Sequence, residues 1–211
     1  MRPEANTMYR KMPANTLLVW ALIFFQAVIC FGQTATGTVQ AEWHVASFSG
    51  GVTIERSSRS TEAMSESRNA PIWIGEKVDT RETGQARIDG PDGHQIRLRE
   101  RTKIRRADVS AWEVESGLAG FRFEQTAGEP PLNLVLSPWA KVEFRSGIVI
   151  VKVAPYLTRV AVLKGTAEVT GQGGLTRTLG PKQECAAVPS AISSVYEATD
   201  DLYFAWYWDK P

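Results

Sequence analysis

Apolar residues recur at every second position in short runs along most of the chain, and this alternation limits what the chain can fold into. Examples are Ala86-Arg-Ile88, Ile96-Arg-Leu98, Trp112-Glu-Val114 and Val142-Glu-Phe144. Many of these residues are β-branched, and turns such as Gly90-Pro-Asp-Gly93 separate the runs. A period of two with such turns predicts strands. We therefore predict an all-β fold, an antiparallel β-sandwich or jelly-roll-like domain of short strands, preceded by an N-terminal apolar helix.

The overall composition adds few constraints. Hydrophobic residues make up 43% of the chain and charged residues 22%, and the formal net charge is +1. These are ordinary values for a globular protein. A charge so close to neutral requires neither nucleic acid nor an anionic membrane as partner, so we expect no nucleic-acid binding.

The N-terminal segment is the strongest local signal. Arg10 and Lys11 precede an almost purely apolar run at residues 17–31. As a helix this run would reach roughly 23 Å, short of the ~30 Å hydrocarbon core of a bilayer. Its length and positive flank predict a secretory signal peptide, which places the body in the periplasm or outside the cell. Two alternatives stay open: the segment is retained as an inner-membrane anchor, or Cys30 carries a lipid.

A row of basic residues is the most distinctive polar feature. We call Arg97, Arg99, Arg101, Lys103, Arg105 and the adjacent Arg106 the basic stripe. In an extended chain the alternating members would point one way and could bind an anionic partner. In the structural alternative, residues 102–106 pair with residues 111–115 as a hairpin. Lys103 and Arg105 would then face Glu113 and Glu115.

The C-terminal segment is rich in aromatic residues. Read as a strand, it places Phe204, Trp206 and Trp208 on one face. These side chains would either pack on the core or form a docking site for a partner chain or a sugar. An envelope polysaccharide binder would in addition expose Trp139.

Residues suited to catalysis or metal binding are sparse. The chain has two histidines, His44 and His94, and the turn before His94 predicts that its side chain is exposed. The sequence lacks clustered metal ligands and a phosphate-binding loop, so we predict no metal, no cofactor and no enzymatic activity. We expect Cys185, within a predicted strand, to be a buried structural thiol.

The order of the strand motifs resembles the FecR domain family over residues 45–188. The resemblance is carried by a series of motifs in the family's order: Ser49-Gly-Gly-Val-Thr-Ile54, Gly75-Glu-Lys-Val-Asp-Thr80, Asp92-Gly-His-Gln-Ile-Arg-Leu98, Thr102-Lys-Ile104, Glu115-Ser-Gly117, Ser137-Pro-Trp-Ala-Lys-Val142, Val160-Ala-Val-Leu-Lys-Gly165 and Leu179-Gly-Pro-Lys-Gln183. One departure is Phe144-Arg-Ser-Gly147, where members often have Val-Arg-Gly-Thr.

The resemblance implies a domain organisation and a class of function. Together with the N-terminal and C-terminal patterns above, it predicts a signal peptide or anchor at residues 1–32, a linker at 33–44, the FecR-like β domain at 45–190 and the aromatic tail at 191–211. Founding members of the family are membrane regulators of an iron-uptake sigma factor, with a cytoplasmic anti-sigma domain before the membrane helix. About fifteen residues precede the apolar run here, too few for such a domain. We therefore expect a non-catalytic binding or scaffold module of the bacterial cell envelope. The alternatives are a membrane-anchored signalling component and a polysaccharide binder.

Overall fold

The alternating runs form strands, as the sequence predicts. A computed structural model describes residues 43–56, 61–63, 69–125 and 132–203. In chain order the strands are β1 (His44–Ser49), β2 (Thr53–Glu55), β3 (Thr61–Ala63), β4 (Ala70–Pro71), β5 (Lys77–Asp79), β6 (Gln85–Asp89), β7 (Gln95–Leu98), β8 (Lys103–Arg106), β9 (Ala111–Phe123), β10 (Asn133–Leu136), β11 (Ala140–Phe144), β12 (Gly147–Ala154), β13 (Leu157–Gly165), β14 (Ala167–Gly171), β15 (Thr176–Leu179), β16 (Gln183–Val188), β17 (Ala191–Ile192) and β18 (Tyr196–Glu197). A 3₁₀ turn spans Pro91–Gly93, and a short helix, α1, spans Asp200–Tyr203.

The strands form one large, mostly antiparallel hydrogen-bonded network with two halves. One half has the order β3-β2-β5-β8-β9-β10-β11-β14-β15. The other has the order β4-β1-β6-β7-β9-β12-β13-β16, with β17 and β18 both paired to β16. Strand β9 belongs to both halves, and this places the β7–β8 connection beside its midpoint.

Strand β9 bends at its midpoint. Its pairing with β8 shifts register, because Lys103 lies opposite Ser116 whereas Ile104 lies opposite Val114. Gly117 follows this bulge with a φ of +85°, a left-handed conformation that favours glycine. A bulge of this kind bends a strand and redirects it. The bend lets the first part of β9 pair in one half of the network and the second part in the other.

One strand pairing departs from the antiparallel prediction. Strands β9 and β10 run parallel, with Leu134 opposite Ala111. The chain must therefore return from the end of β9 to its beginning before β10 starts.

The main apolar core contains the inward-facing residues of both halves, among them Trp43, Ile54, Trp112, Phe121 and Val151. A second, smaller apolar cluster consists of Ile150, Ala161 and Leu202. Because Ile150 lies between Val149 and Val151 on β12, the pleat places it on the face opposite the main core. Leu202 of α1 covers this outer face.

Two local expectations need correction. The serine-rich, polar composition of residues 57–69 predicts one long exposed loop, but this stretch includes β3, which pairs with β2. Residues 57–60 and 64–68 lie outside the described parts. His94 is buried rather than exposed, because its ring packs against Trp43 and Phe123. The predicted N-terminal helix also lies outside the described residues. Within those residues, no helix has the length and apolarity needed to cross a bilayer.

Candidate binding site

The basic stripe does not form one straight row. Arg97 lies on β7, Lys103 and Arg105 lie on β8, and the chain turns between these strands at residues 99–102. The expectation of an extended array is therefore wrong. The reason is that β7 and β8 pair with different parts of the bent strand β9. Arg97 lies opposite Gly120 and donates a hydrogen bond from Nε to Gln95 Oε1 at 2.8 Å.

Arg99 and Arg101 lie in the β7–β8 connection, which buried Thr80 fixes. The Thr80 hydroxyl donates to the Arg99 carbonyl at 2.5 Å and accepts from the Thr102 amide at 3.0 Å. Arg101 has a φ of +57°, and its amide donates to the Arg81 carbonyl at 2.5 Å. The left-handed conformation costs about 1–2 kcal/mol for a residue other than glycine. The surrounding hydrogen bonds hold Arg101 in this unfavourable conformation.

A cavity of about 520 Å³ opens beside this connection. Arg99, Arg101 and Lys152 supply its positive charges, and Gly117 and Leu118 of the β9 bend line it as well. The carboxylates at its wall belong to Glu82, Glu100 and Asp201. Across the described residues, no hydrogen bond or ion pair involves the Arg101 side chain, which is exposed. The cavity therefore offers a cation to an anionic group from outside the chain.

Lys103 and Arg105 belong to a lattice of ion pairs on β2, β5, β8 and β9. Arg105 pairs with Glu113, as the predicted hairpin requires. Lys103 does not face Glu115, because the bulge in β9 shifts the register; it pairs with Glu55 at 2.7 Å. Glu115 pairs with Lys77 at 2.6 Å. The Lys103–Glu55 hydrogen bond raises the pKa of Lys103 and lowers that of Glu55. These two stripe cations already have partners within the fold.

Arg106 is buried. Its guanidinium donates a hydrogen bond to the Ile72 carbonyl at 2.8 Å, and its backbone bonds to Gly75 and Glu76. The pleat turns Arg106 inward because it follows the outward-facing Arg105. A buried guanidinium in this position ties the loop at residues 72–76 to β8, and its assignment to an exposed binding row is wrong.

A second charged cluster joins the C-terminal segment to the outer face of β13 and β16. Glu184, which is 0% exposed, accepts from Arg159 Nε at 2.5 Å, from the Tyr196 hydroxyl at 3.0 Å and from the Thr199 amide at 3.1 Å. Its two oxygens thus have the partners that a buried carboxylate requires. Burial, together with the neighbouring Glu184 carboxylate, raises the pKa of Tyr196.

Asp201 links this cluster to the cavity. Its carboxylate accepts from Arg159 at 3.0 Å and from Lys152 at 3.1 Å. The hydrogen bond from the Thr199 hydroxyl, together with those from Arg159 and Lys152, holds the pKa of the Asp201 carboxyl well below its usual range. Asp201 is therefore a carboxylate at ordinary pH and neutralises part of the positive charge at the cavity wall.

The aromatic docking residues predicted from the tail, Phe204, Trp206 and Trp208, lie outside the described residues. Trp139, which a polysaccharide site would expose, is half-buried and packs against the main core. Cys185 is buried, as expected, and burial raises the pKa of its thiol to about 12. In the described ranges, no three His, Cys, Asp or Glu side chains form a group that could hold a metal ion.

Three residues of the site escaped the sequence analysis: Lys152, Arg159 and Asp201. Each lies far in sequence from Arg99 and Arg101, and only strand pairing brings them near. A weak signal was present, because Lys152 interrupts the apolar run Ile148–Val153. A lone cation in an otherwise apolar strand indicates an outward position with a polar neighbour.

Comparisons with known proteins concern the fold. No protein-family model and no curated protein matches the chain. Two crystal structures of a "putative anti-sigma factor" from Parabacteroides distasonis ATCC 8503 are similar to it, at 1.65 and 2.50 Å resolution. Both have a TM-score of 0.54 and 20% identity over 63% of this chain. The match spans 65% and 64% of those two chains, less than two thirds of their length. At this identity the likeness shows a shared fold.

Proposed function

We propose that this chain is a FecR-like, non-catalytic binding module that works at the bacterial cell envelope, outside the cytoplasm. We further propose that Arg99 and Arg101 contact an anionic group of its partner. The observation that carries the binding role is the exposed guanidinium of Arg101, held in a left-handed backbone conformation beside Arg99 and Lys152. Strained residues that the surrounding structure fixes are often found at functional sites.

The fold supports the family assignment. The ordered motifs resemble the FecR family, whose founding members regulate a sigma factor. The two similar crystal structures are of a "putative anti-sigma factor". The inward residues of both halves of the sheet network share one apolar core, which favours the predicted sandwich arrangement.

Five of the six stripe residues divide into two groups with different roles, while Arg97 on β7 is hydrogen-bonded to Gln95. Lys103, Arg105 and Arg106 have partners inside the fold, so their charges stabilise strand packing. Arg99 and Arg101 lie in a connection and line an open cavity. Charge-assisted hydrogen bonds from guanidinium groups suit carboxylate and phosphate oxygens. An anionic partner would therefore bind at the connection and not along β8.

The binding proposal is tested with fluorescein-labelled inorganic polyphosphate and the native protein in neutral detergent. We expect the double variant Arg99→Glu, Arg101→Glu to weaken binding by about tenfold or more, because two charge-assisted contacts become repulsions. The control Lys164→Glu changes an exposed cation at the end of β13 and should stay within about twofold of the native affinity. Equal affinities for all three proteins would refute an anion site at the connection.

A membrane-anchored signalling component is the second candidate. The similarity to an anti-sigma factor structure favours it, as does the apolar run at residues 17–31. Intact mass and membrane fractionation of the native protein separate the two functions. Loss of about the first 30 residues with a soluble product would exclude signalling through an anchor. Full mass in the membrane fraction would support it.

A further inference from the structure

The cavity lined by Arg99, Arg101 and Lys152 also holds carboxylates of its own chain, namely Glu82, Glu100 and Asp201. Asp201 lies at the cavity wall, 3.1 Å from the Lys152 ammonium, and reaches the Arg159 guanidinium as well. An external phosphate or carboxylate group that enters the cavity would meet the same Lys152. The chain therefore places one anion where the proposed partner would place another.

The Asp201 contact with Lys152 is exposed enough to exchange. The side chain of Lys152 is 42% exposed and that of Asp201 is 48% exposed. Ion pairs between groups so accessible to water contribute little to stability, since water and dissolved ions compete for both charges. Breaking this contact need not disturb the fold.

The segment that carries Asp201 has separate attachments to the body. Leu202 is fully buried against Ile150 and Ala161 on the outer face of β12 and β13. Thr199 is bonded to the buried carboxylate of Glu184 through its amide and its hydroxyl. These contacts keep α1 in place whether or not the Asp201 carboxylate is bound to Lys152.

We propose that Asp201 is a built-in competitor for the anion site, displaced from Lys152 when a phosphate or carboxylate group binds between Lys152, Arg99 and Arg101. This inference rests on the proposed binding function and deepens it, since it adds Lys152 to the site and specifies an oxyanion as the ligand. The segment at residues 199–203 then lowers the affinity of the site, because any ligand must displace the Asp201 carboxylate from Lys152.

The neighbouring Asp200 supplies a matched control. Asp200→Asn and Asp201→Asn remove the same charge from adjacent positions of α1. In the described structure, Asp201 is the one of these two aspartates that forms ion pairs with Lys152 and Arg159. With labelled polyphosphate, we expect Asp201→Asn to bind about three- to tenfold more tightly than the native protein. We expect Asp200→Asn to stay within about twofold. Equal affinities of the two variants would overturn the proposal.

A double-mutant cycle tests the role of Lys152. Lys152→Gln should weaken binding, and the gain from Asp201→Asn should disappear in the Lys152→Gln background, because the competition takes place on that ammonium group. A gain that persists without Lys152 would contradict direct competition. Melting temperatures of all variants identify any that fail to fold, and a failed Asp201→Asn is replaced by Asp201→Ser.

The outcomes separate this inference from the function on which it rests. If Arg99→Glu, Arg101→Glu binds polyphosphate as the native protein does, the anion site itself is refuted. If that variant loses binding while Asp200→Asn and Asp201→Asn have equal affinities, only the role of Asp201 as a competitor is refuted. Displacement of the probe by phosphatidylglycerol in neutral micelles, but not by free phosphate, would identify a lipid headgroup as the source of the oxyanion. The reverse result would identify a soluble anion.

Discussion

Arg159 donates a hydrogen bond from Nε to the fully buried carboxylate of Glu184, 2.5 Å away, across the paired strands β13 and β16. The other nitrogens of the same guanidinium reach Asp201 on α1. One side chain therefore connects the buried Glu184 carboxylate to the segment that borders the cavity. This link fixes the C-terminal segment beside the cavity, which the β7–β8 connection also lines.

Loss of the Glu184 charge should destabilise the protein. Glu184→Gln keeps the shape of the side chain but removes the buried anionic partner of Arg159 and leaves it only the exposed carboxylate of Asp201. We expect a loss of about 2–4 kcal/mol in the free energy of unfolding, somewhat below a fully buried pair because Arg159 retains contact with water. Urea denaturation measures this loss. Glu197→Gln, an exposed change on β18, should cost less than about 0.5 kcal/mol, and equal losses would show that Glu184 has no special role.

The bend of β9 requires glycine at position 117. A Cβ atom there would lie 2.5 Å from the Thr102 Cα and from the Arg101 carbonyl, in addition to the strain of a φ of +85°. Gly174 also has a positive φ, +76°, but a Cβ there would meet nothing within 4 Å. We expect Gly174→Ala to cost about 1 kcal/mol and Gly117→Ala about 3 kcal/mol or more. Similar unfolding midpoints for the two variants would contradict the steric account.

His94 should make stability depend on pH. Burial lowers the pKa of His94 below its ordinary value of 6.5, although the nearby carboxylates of Asp92 and Glu124 act in the opposite direction. His94 thus has a lower pKa in the folded protein than in the unfolded chain. At a pH between these two values, the unfolded chain binds the proton and the folded protein does not. Above pH 6.5, His94 is neutral in both states and its titration does not change the free energy of unfolding. Below pH 6.5, the free energy of unfolding falls as the pH drops.

The measurement is the urea midpoint at several pH values. His94→Phe, which keeps an aromatic ring beside Trp43 and Phe123, should flatten the part of the pH dependence that lies just below neutrality. An unchanged profile in this variant would assign the dependence to other groups.

The ion-pair lattice on β8 should contribute only modestly to stability. Lys103 and Glu55 are 28% and 35% exposed, so water screens their interaction. Glu55→Gln should lower the free energy of unfolding by less than about 1 kcal/mol at low salt, and the loss should shrink at high salt. A larger loss that salt does not change would show that Glu55 acts through packing.

The strands could be predicted from the sequence, because apolar residues at every second position indicate which side chains face a core. The runs at Ala86–Ile88, Ile96–Leu98 and Val142–Phe144 all lie within observed strands. The hairpin of β8 with the start of β9 was also predicted, including the Arg105–Glu113 pair. The pairing of Lys103 with Glu55 could not be predicted, because a single-residue bulge near Gly117 changes which residues face each other.

The site could be predicted only in part. Arg99 and Arg101 stand out in the sequence because their charges alternate with other residues. Lys152 and Asp201 do not, because strand pairing and the docking of Leu202 bring them to the cavity from positions 50–100 residues away in sequence. His94 was misplaced because its burial depends on Trp43 and Phe123, which lie on distant strands.

The most direct test of the proposed function compares two equal losses of charge in polyphosphate binding. Arg99→Gln with Arg101→Gln removes two of the three cations that line the cavity, and Lys103→Gln with Arg105→Gln removes two of those held in the ion-pair lattice. We predict that the first pair weakens binding by about tenfold, whereas the second leaves the affinity within about twofold. Equal weakening by both pairs would contradict a localised site and would show that the anion responds only to the net charge of the protein.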